Sequence, residues 1–435
     1  MYRINPPGVY AHESAMTEPR LRARVERVAA ALAPPRVPVV FTDEQLPELI
    51  WEGRWTEGLK PMGTLPEVRD PVLVFSTFRF DGKEAERGAW FDQLGTGIGG
   101  HLRNALVGGG AFHWFPAGLK EDPYRKEKVC RACWRLHFQV GCLHRCAYCG
   151  YGGVLVTMVN VEEYIEHLDR LIERHPWQLT YLLEDDADVL CLEPELGCLG
   201  PIIEYFGTLK DRYLIIHTKS ANVEWMLPLK HNGNTILVWS LSGPEQSRTL
   251  EPKTGTLEER VEAARLCQEA GYTVRYKFKP ILPITGWRED GARAVATALT
   301  RTRPDVISLC TFMWMECAEM VRRVGRDRFD PHFLAAAEAA ADTIGGLRTA
   351  PFPEDARAEM YEHYLTEIRR WNETVPVSLS TESPSMWRRF EDRLGMNAAN
   401  YVCGCGPQST PWLRQLPCSA WQGVERNDQG LRGTW

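Results

Sequence analysis

Three cysteines, Cys142, Cys146 and Cys149, stand in the run Gly-Cys-Leu-His-Arg-Cys-Ala-Tyr-Cys-Gly, with three and then two residues between them. Three thiolates can hold three irons of a 4Fe–4S cube and leave the fourth iron without a protein ligand, whereas ordinary electron-transfer clusters take four cysteines. An open iron can chelate a substrate or cofactor. The competing reading is half of a zinc site, which wants paired cysteines two to four residues apart and a fourth ligand. Ten cysteines lie outside the motif. Cys130-Arg-Ala-Cys133 and Cys403-Gly-Cys405 are closely spaced pairs in polar or loop segments, a pattern that binds metals. Four cysteines from two distant segments could hold a second iron–sulfur cluster, with zinc at the same four residues as the lesser alternative and Cys418 as an alternative ligand. Cys267 falls on the sheet-facing side of a helix and reads as core.

With Tyr148 before its last cysteine, the motif resembles the signature of radical S-adenosylmethionine (SAM) enzymes. The resemblance implies a 4Fe–4S cluster whose open iron binds the amino and carboxylate groups of SAM, and whose electron cleaves SAM to methionine and a 5′-deoxyadenosyl radical. It also implies an external electron donor such as flavodoxin or ferredoxin.

The elements that must position these thiols can be read from the rest of the chain. Its 435 residues can bury a large core in one big domain or two to three smaller ones. A net charge of −6 argues against a general nucleic-acid binder, since neutralising phosphates needs a basic surface. No apolar run is long enough to span a membrane. The N-terminus lacks an apolar signal core, and the thirteen cysteines read as ligands and buried thiols of a cytoplasmic protein, not as a disulfide framework.

Residues 1–128 read as an α/β segment: a helix over Leu21–Leu32, strands over Arg36–Phe41 and Val72–Phe78, then loop from Val107 to Pro123. Within 129–312, strands and helices alternate. Arg135–Val140 is an extended run into the cysteine loop. Further strands are expected at Leu179–Leu183, Tyr213–Thr218, Thr235–Leu241, Thr273–Ile281 and Asp305–Phe312. Helices are expected at Val161–Arg174, Pro201–Leu209, Ala221–Leu229, Thr256–Ala270 and Asp290–Thr300, with Thr256 and a Glu three residues on forming a capping box. Six strands with crossover helices match a partial (β/α)6 radical SAM barrel, with the cluster loop after the first strand, at the carboxyl end where barrel chemistry sits. Residues 313–435 form a C-terminal extension, helical at about Pro331–Ile344 and Asp355–Arg370, with a strand at Val375–Leu379 and the Cys403/Cys405 tail.

Several runs resemble spore photoproduct lyase, a radical SAM family that reverses a thymine dimer in DNA. They are Leu-Lys-His231-Asn-Gly-Asn-Thr, Leu250-Glu-Pro-Lys-Thr-Gly-Thr-Leu-Glu-Glu-Arg260, Gln268-Glu-Ala-Gly-Tyr272, Pro280-Ile-Leu-Pro-Ile-Thr-Gly-Trp287 and, near the start, Val9-Tyr-Ala-His-Glu-Ser. The resemblance implies that Tyr148 lies near the adenine of SAM. A carboxylate of the run Glu184-Asp185-Asp186 would take its ammonium, Lys219 its carboxylate or ribose, and Ser240 the ribose or methionine part. The sequence departs from the family where the lyase keeps a cysteine that returns a hydrogen atom to the product. Here Ala187 or a neighbour takes that place, and Cys191 could substitute only after loop rearrangement; otherwise it is a buried inert thiol.

The sequence therefore points to a radical SAM enzyme that abstracts hydrogen from a small polar substrate of biosynthesis, such as a nucleoside or sugar. Repair of a nucleic-acid lesion is the alternative. It would need a basic groove across the barrel mouth, to which Arg275, Lys277 and Lys279 could contribute from one face of their strand. A non-catalytic zinc-binding scaffold is the rival from another class.

Overall fold

The computed structural model describes residues 1–58, 70–117 and 128–416. Its strands are β1 (Val9–His12), β2 (Val39–Phe41), β3 (Val72–Ser76), β4 (Phe112–Phe115), β5 (Cys133–Leu136), β6 (Gln139–Val140), β7 (Val154–Met158), β8 (Thr180–Leu183), β9 (Tyr213–Thr218), β10 (Thr235–Leu241), β11 (Thr273–Ile281), β12 (Ile307–Thr311) and β13 (Val377–Leu379). They form two sheets. The first has the order β2-β1-β3-β7-β6 and is parallel except where β6 meets β7. The second has the order β13-β12-β11-β10-β9-β8-β5-β4 and is parallel except for the β4–β5 pair. It is an open sheet with β13 and β4 at its edges, so the chain is a mixed α/β fold and the six expected strands occupy its centre.

The second sheet buries both faces, as parallel strands with crossover helices must. Leu214, Ile216, Leu237 and Trp239 join the large core under the helices. The alternate residues Leu182, Ile215, Ile236 and Val238 form a small apolar cluster on the other, inner face, with Cys405 packed against it. By the same alternation His217, Ser240, Lys277 and Lys279 follow on the inner side toward the carboxyl ends.

The helices follow the sequence pattern. Val161–Arg174 buries Val161, Tyr164, Leu168, Leu171 and Ile172 along one stripe. Leu257–Glu269 starts on the expected capping box, with Glu259 N donating to Thr256 Oγ1 and Thr256 N donating to Glu259 Oε2. The lyase-like run at His231 is a tight turn. His231 Nε2 lies 3.0 Å from the Ala270 carbonyl, and its ring stacks on Tyr272 at 3.6 Å. Gly207 beneath it has no room for a side chain, since a Cβ there would sit 2.2 Å from the Lys230 carbonyl.

Several expectations need correction. The segment expected as loop from Val107 contains β4, whose aromatic residues pair with β5; residues 118–127 of that segment lie outside the described residues. The extended run Arg135–Val140 is two strands in different sheets, because the chain turns at His137-Phe138 from the second sheet into the first. Val154–Met158, not expected as a strand, is a fully buried member of the first sheet. The first sheet thus draws β6 and β7 from beyond residue 128, where the N-terminal segment was expected to end. Ala221–Leu229 is only a short 3-10 turn at Glu224–Met226.

Candidate active site

The cysteine loop leaves β6 at Gly141, whose φ of +105° and 2.0 Å approach of a would-be Cβ to the Val154 carbonyl both demand glycine. The loop is then tied to the carboxyl ends of the second sheet. Gly141 N donates to the Asp186 carbonyl, Ala147 N to the Leu250 carbonyl, and Cys149 N to the Cys146 carbonyl. His144 is buried, with Nδ1 2.8 Å from the Lys253 carbonyl and Nε2 2.7 Å from Asp188 Oδ2. This scaffold brings the thiols of Cys142, Cys146 and Cys149 into mutual electrostatic contact. Burial pushes Cys146 up to about 12 and Cys142 well above the ordinary thiol value. Thiolates here need a cation, and three neighbouring half-buried cysteines are a donor set that fits the cluster the motif implies.

Beside the loop lies a buried carboxylate that the sequence did not single out. Glu251 accepts from the Tyr148 hydroxyl at 2.5 Å, Ser242 Oγ at 2.6 Å, Lys219 Nζ at 3.1 Å and Arg260 Nη2 at 2.7 Å. Burial raises its pKa, but the Lys219 and Arg260 cations win and hold it well below the usual carboxylate range. Its place in the lyase-like run Leu250–Arg260 was the only signal in the sequence. Tyr148 is half-buried, with its ring edge-on to Phe312. Lys219 and Tyr148 are therefore brought together, and Lys219 also donates to the Lys279 carbonyl. Ser240 is half-buried on the adjacent strand, and its carbonyl accepts from Arg260.

The acidic run is divided. Glu184 is buried and fully engaged. It accepts from Phe138 N at 2.5 Å and Gln139 N at 2.7 Å, and lies 3.0 Å from His137 Nδ1. Those bonds hold the turn between the two sheets, which does not match the expected role on the SAM ammonium. Asp185 pairs with Arg135. Asp186 contacts His101 Nδ1 and the Tyr151 hydroxyl. Cys191 is 1 % exposed, with its sulfur 3.7 Å from His144 Nε2. That burial does not match the hydrogen donor considered for it.

At the opposite end of the inner face, the C-terminal tail crosses under the strands. Leu179 N and Thr180 N donate to the Pro407 carbonyl, and Gly404 N donates to Ser308 Oγ. Arg275, fully buried, pairs with Asp305 at 2.7 Å and donates to Ser409 and to the Thr410 carbonyl. This course brings Cys403 and Cys405 to Cys130 and Cys133. The hydrogen bond with Cys403, together with the Lys277 and Arg135 cations, pulls Cys405 well below the ordinary thiol value. Arg275 and Lys277 are thus spent on the tail and its cysteines, not on a groove at the sheet's mouth; Lys279 lies over the Trp314 ring at 4.5 Å. Cys418 lies outside the described residues.

Comparison with known proteins points to one family of similar sequences and folds. The family model described as "Spore photoproduct lyase" matches residues 124–316. The spore photoproduct lyase of Bacillus subtilis (strain 168) is 30% identical over 178 residues, which is 39% of this chain and 52% of that protein. Its namesake in Clostridium acetobutylicum is 27% identical over 167 residues, 37% of this chain and 49% of that protein. The chain thus spans about half the length of the curated relatives it matches. A solved spore photoproduct lyase complexed with dinucleoside spore photoproduct has a TM-score of 0.59 at 14% identity, covering 87% of this chain and 99% of its own. A mutant of that enzyme with bound AdoMet and dinucleoside spore photoproduct also scores 0.59 at 14% identity, covering 88% of this chain and 100% of its own. At that identity the likeness is one of fold. Through residues 124–316 the chain is similar to the spore photoproduct lyases.

Proposed function

We propose that this chain is a radical SAM enzyme of lyase type, working on a partial barrel formed by the inner face of the second sheet. Cys142, Cys146 and Cys149 would hold a 4Fe–4S cluster, which supplies reductive cleavage of SAM when an external donor such as flavodoxin or ferredoxin provides the electron. The observation that carries the reading is the grouping of these three half-buried cysteines beside Tyr148, Lys219 and Glu251. Tyr148 orients against the adenine, with its hydroxyl fixed by Glu251. Lys219 offers a cation to the SAM carboxylate or ribose, and Ser240 a hydroxyl to the ribose or methionine part. Phe312, edge-on to Tyr148, and the inner-face residues would help exclude water from SAM held there.

The relatives' names and the neighbour's dinucleoside ligand support a photoproduct in nucleic acid as the substrate, over a small biosynthetic intermediate. Ala187 then requires the returning hydrogen atom to come from a group other than a thiol at that position. An anaerobic assay with SAM, dithionite and the dinucleoside photoproduct tests this. Cleavage of the link between the bases, leaving two intact thymines each still on its sugar, is expected together with 5′-deoxyadenosine, and neither in the Cys142/Cys146/Cys149→Ala variant. Full 5′-deoxyadenosine production in that variant sinks the cluster assignment. Its formation by the wild type without cleavage of that link sinks the substrate.

The same reading gives Cys130, Cys133, Cys403 and Cys405 an auxiliary iron–sulfur cluster, supported by the Lys277 and Arg135 cations that face their sulfurs. Iron counting should find about eight irons per chain, and about four in the Cys142/Cys146/Cys149→Ala variant, given cubes of four. About four irons in the wild type, or zinc at the second site, would remove that cluster.

A further inference from the structure

We propose that His101, His137 and Asp186 form a mononuclear site for a divalent ion of the zinc and ferrous class, separate from every cysteine. One nitrogen of each histidine and a carboxylate oxygen of Asp186 lie within 4.8 Å of one another. The three residues come from the helix Gly100–Leu106, the turn after β5 and the segment after β8. They share the seam where the chain passes from one sheet to the other.

His137 is the decisive member. The residue is 4 % exposed, and Nδ1 lies against Glu184 Oε2, leaving Nε2 buried without a hydrogen-bond partner. A buried polar nitrogen of that kind calls for a ligand. A histidine that binds a metal through one nitrogen typically gives the other N–H to a carboxylate, which fixes tautomer and orientation; Glu184 stands in that place. His101 faces the same spot, with its ring 5.0 Å from that of His137, and contacts Asp186 through Nδ1. A third imidazole, His113 on β4, lies 5.0 Å from the His101 ring and 6.3 Å from that of His137. A plain His101–Asp186 hydrogen bond accounts for two of these groups and leaves His137 Nε2 unexplained.

Two imidazoles and one carboxylate are a donor set for zinc or ferrous iron with coordination positions left over. Those positions border the pocket lined by Phe78, Glu84, Asn104 and Gln139, together with the three histidines. The ligand class that suits them is an oxygen of a bound substrate, or water. Asp186 then serves this ion instead of the SAM ammonium.

The test uses holoprotein with its cysteine sites loaded anaerobically, incubated with zinc chloride and desalted. Metal analysis should find about one zinc retained per chain, given a single site of this kind. Zinc-edge anomalous diffraction should place it among the three side chains. Retention should be lost in His137→Asn and in His101→Ala, whose side chain is 35 % exposed on a surface helix and tolerates truncation. No retention by the wild type, full retention by His101→Ala, or an anomalous peak only at cysteines would overturn the proposal. SAM cleavage by the same preparations reports the cluster reading separately.

Discussion

Lys277 Nζ lies 3.9 Å from Cys405 Sγ on the inner face of the second sheet, with Lys277 only 4 % exposed. Burial pushes the ammonium pKa down, but Cys405, Cys310, Cys403 and Cys130 pull it up and win. A buried cation needs a counter-charge, and here it comes from sulfur. At the proposed auxiliary cluster this cation stabilises the reduced, more negative form. Lys277→Met should lower the reduction potential by roughly 50–100 mV, the one-electron equivalent of about 1–2 kcal/mol of charge interaction. A redox titration followed by electron paramagnetic resonance measures it. An unchanged potential would mean that no redox centre lies beside Lys277.

Arg275 ties the C-terminal tail to the second sheet. Its guanidinium joins Asp305 to Ser409 and Thr410. Arg275→Met leaves Asp305 buried and unpaired, which costs about 3–5 kcal/mol. The variant should lose auxiliary iron while keeping the iron of the Cys142 motif, and the chain beyond residue 400 should become protease-sensitive. Loss of both iron pools in equal measure would mean that the tail is not a separable unit.

Glu251 makes stability depend on pH in a defined direction. Its folded pKa lies below its unfolded value of about 4.5. The carboxylate therefore contributes stability that is fully present above that pH and lost as pH falls toward the folded value. Denaturant melts of Glu251→Gln should show a lower plateau at neutral pH, by about 3–5 kcal/mol for an opened buried ion pair. They should also show a shallower decline below pH about 4.5. Parallel curves for the two proteins would count against the Lys219–Glu251–Arg260 network.

Cys191→Ala addresses the hydrogen donor. With its thiol buried against His144, the substitution should leave both SAM cleavage and product formation intact. Intact SAM cleavage with abolished product would return the donor role to Cys191.

What the sequence disclosed depended on how local the signal was. Thr235–Leu241 and Tyr213–Thr218 are apolar runs between turn residues, and Leu257–Glu269 carries its own cap, so both kinds of element could be read directly. The run Val154–Met158 is as apolar as these, but it stands between the cysteine loop and a helix, and it was not expected as a strand. The half-exposed aromatic residues of β4 show no clean alternation. The paired cysteines could be matched across 270 residues because their short spacings announce them. Nothing of that kind marks Glu251 or the His101–Asp186 contact. Their partners lie on separate elements, and only the fold brings them together.

The tail's return also sets an order of assembly. Cys130 and Cys133 leave the ribosome long before Cys403 and Cys405, and the second sheet has to form before the tail can lie across its strands. The Cys142 motif has its three sulfurs within one loop and can be metallated as soon as that loop is held. The proposed four-cysteine site cannot be completed before Cys403 and Cys405 have been made. Maturation of the two proposed centres would therefore be staggered in time, and the machinery that delivers iron and sulfide would meet a half-built second site in the interval.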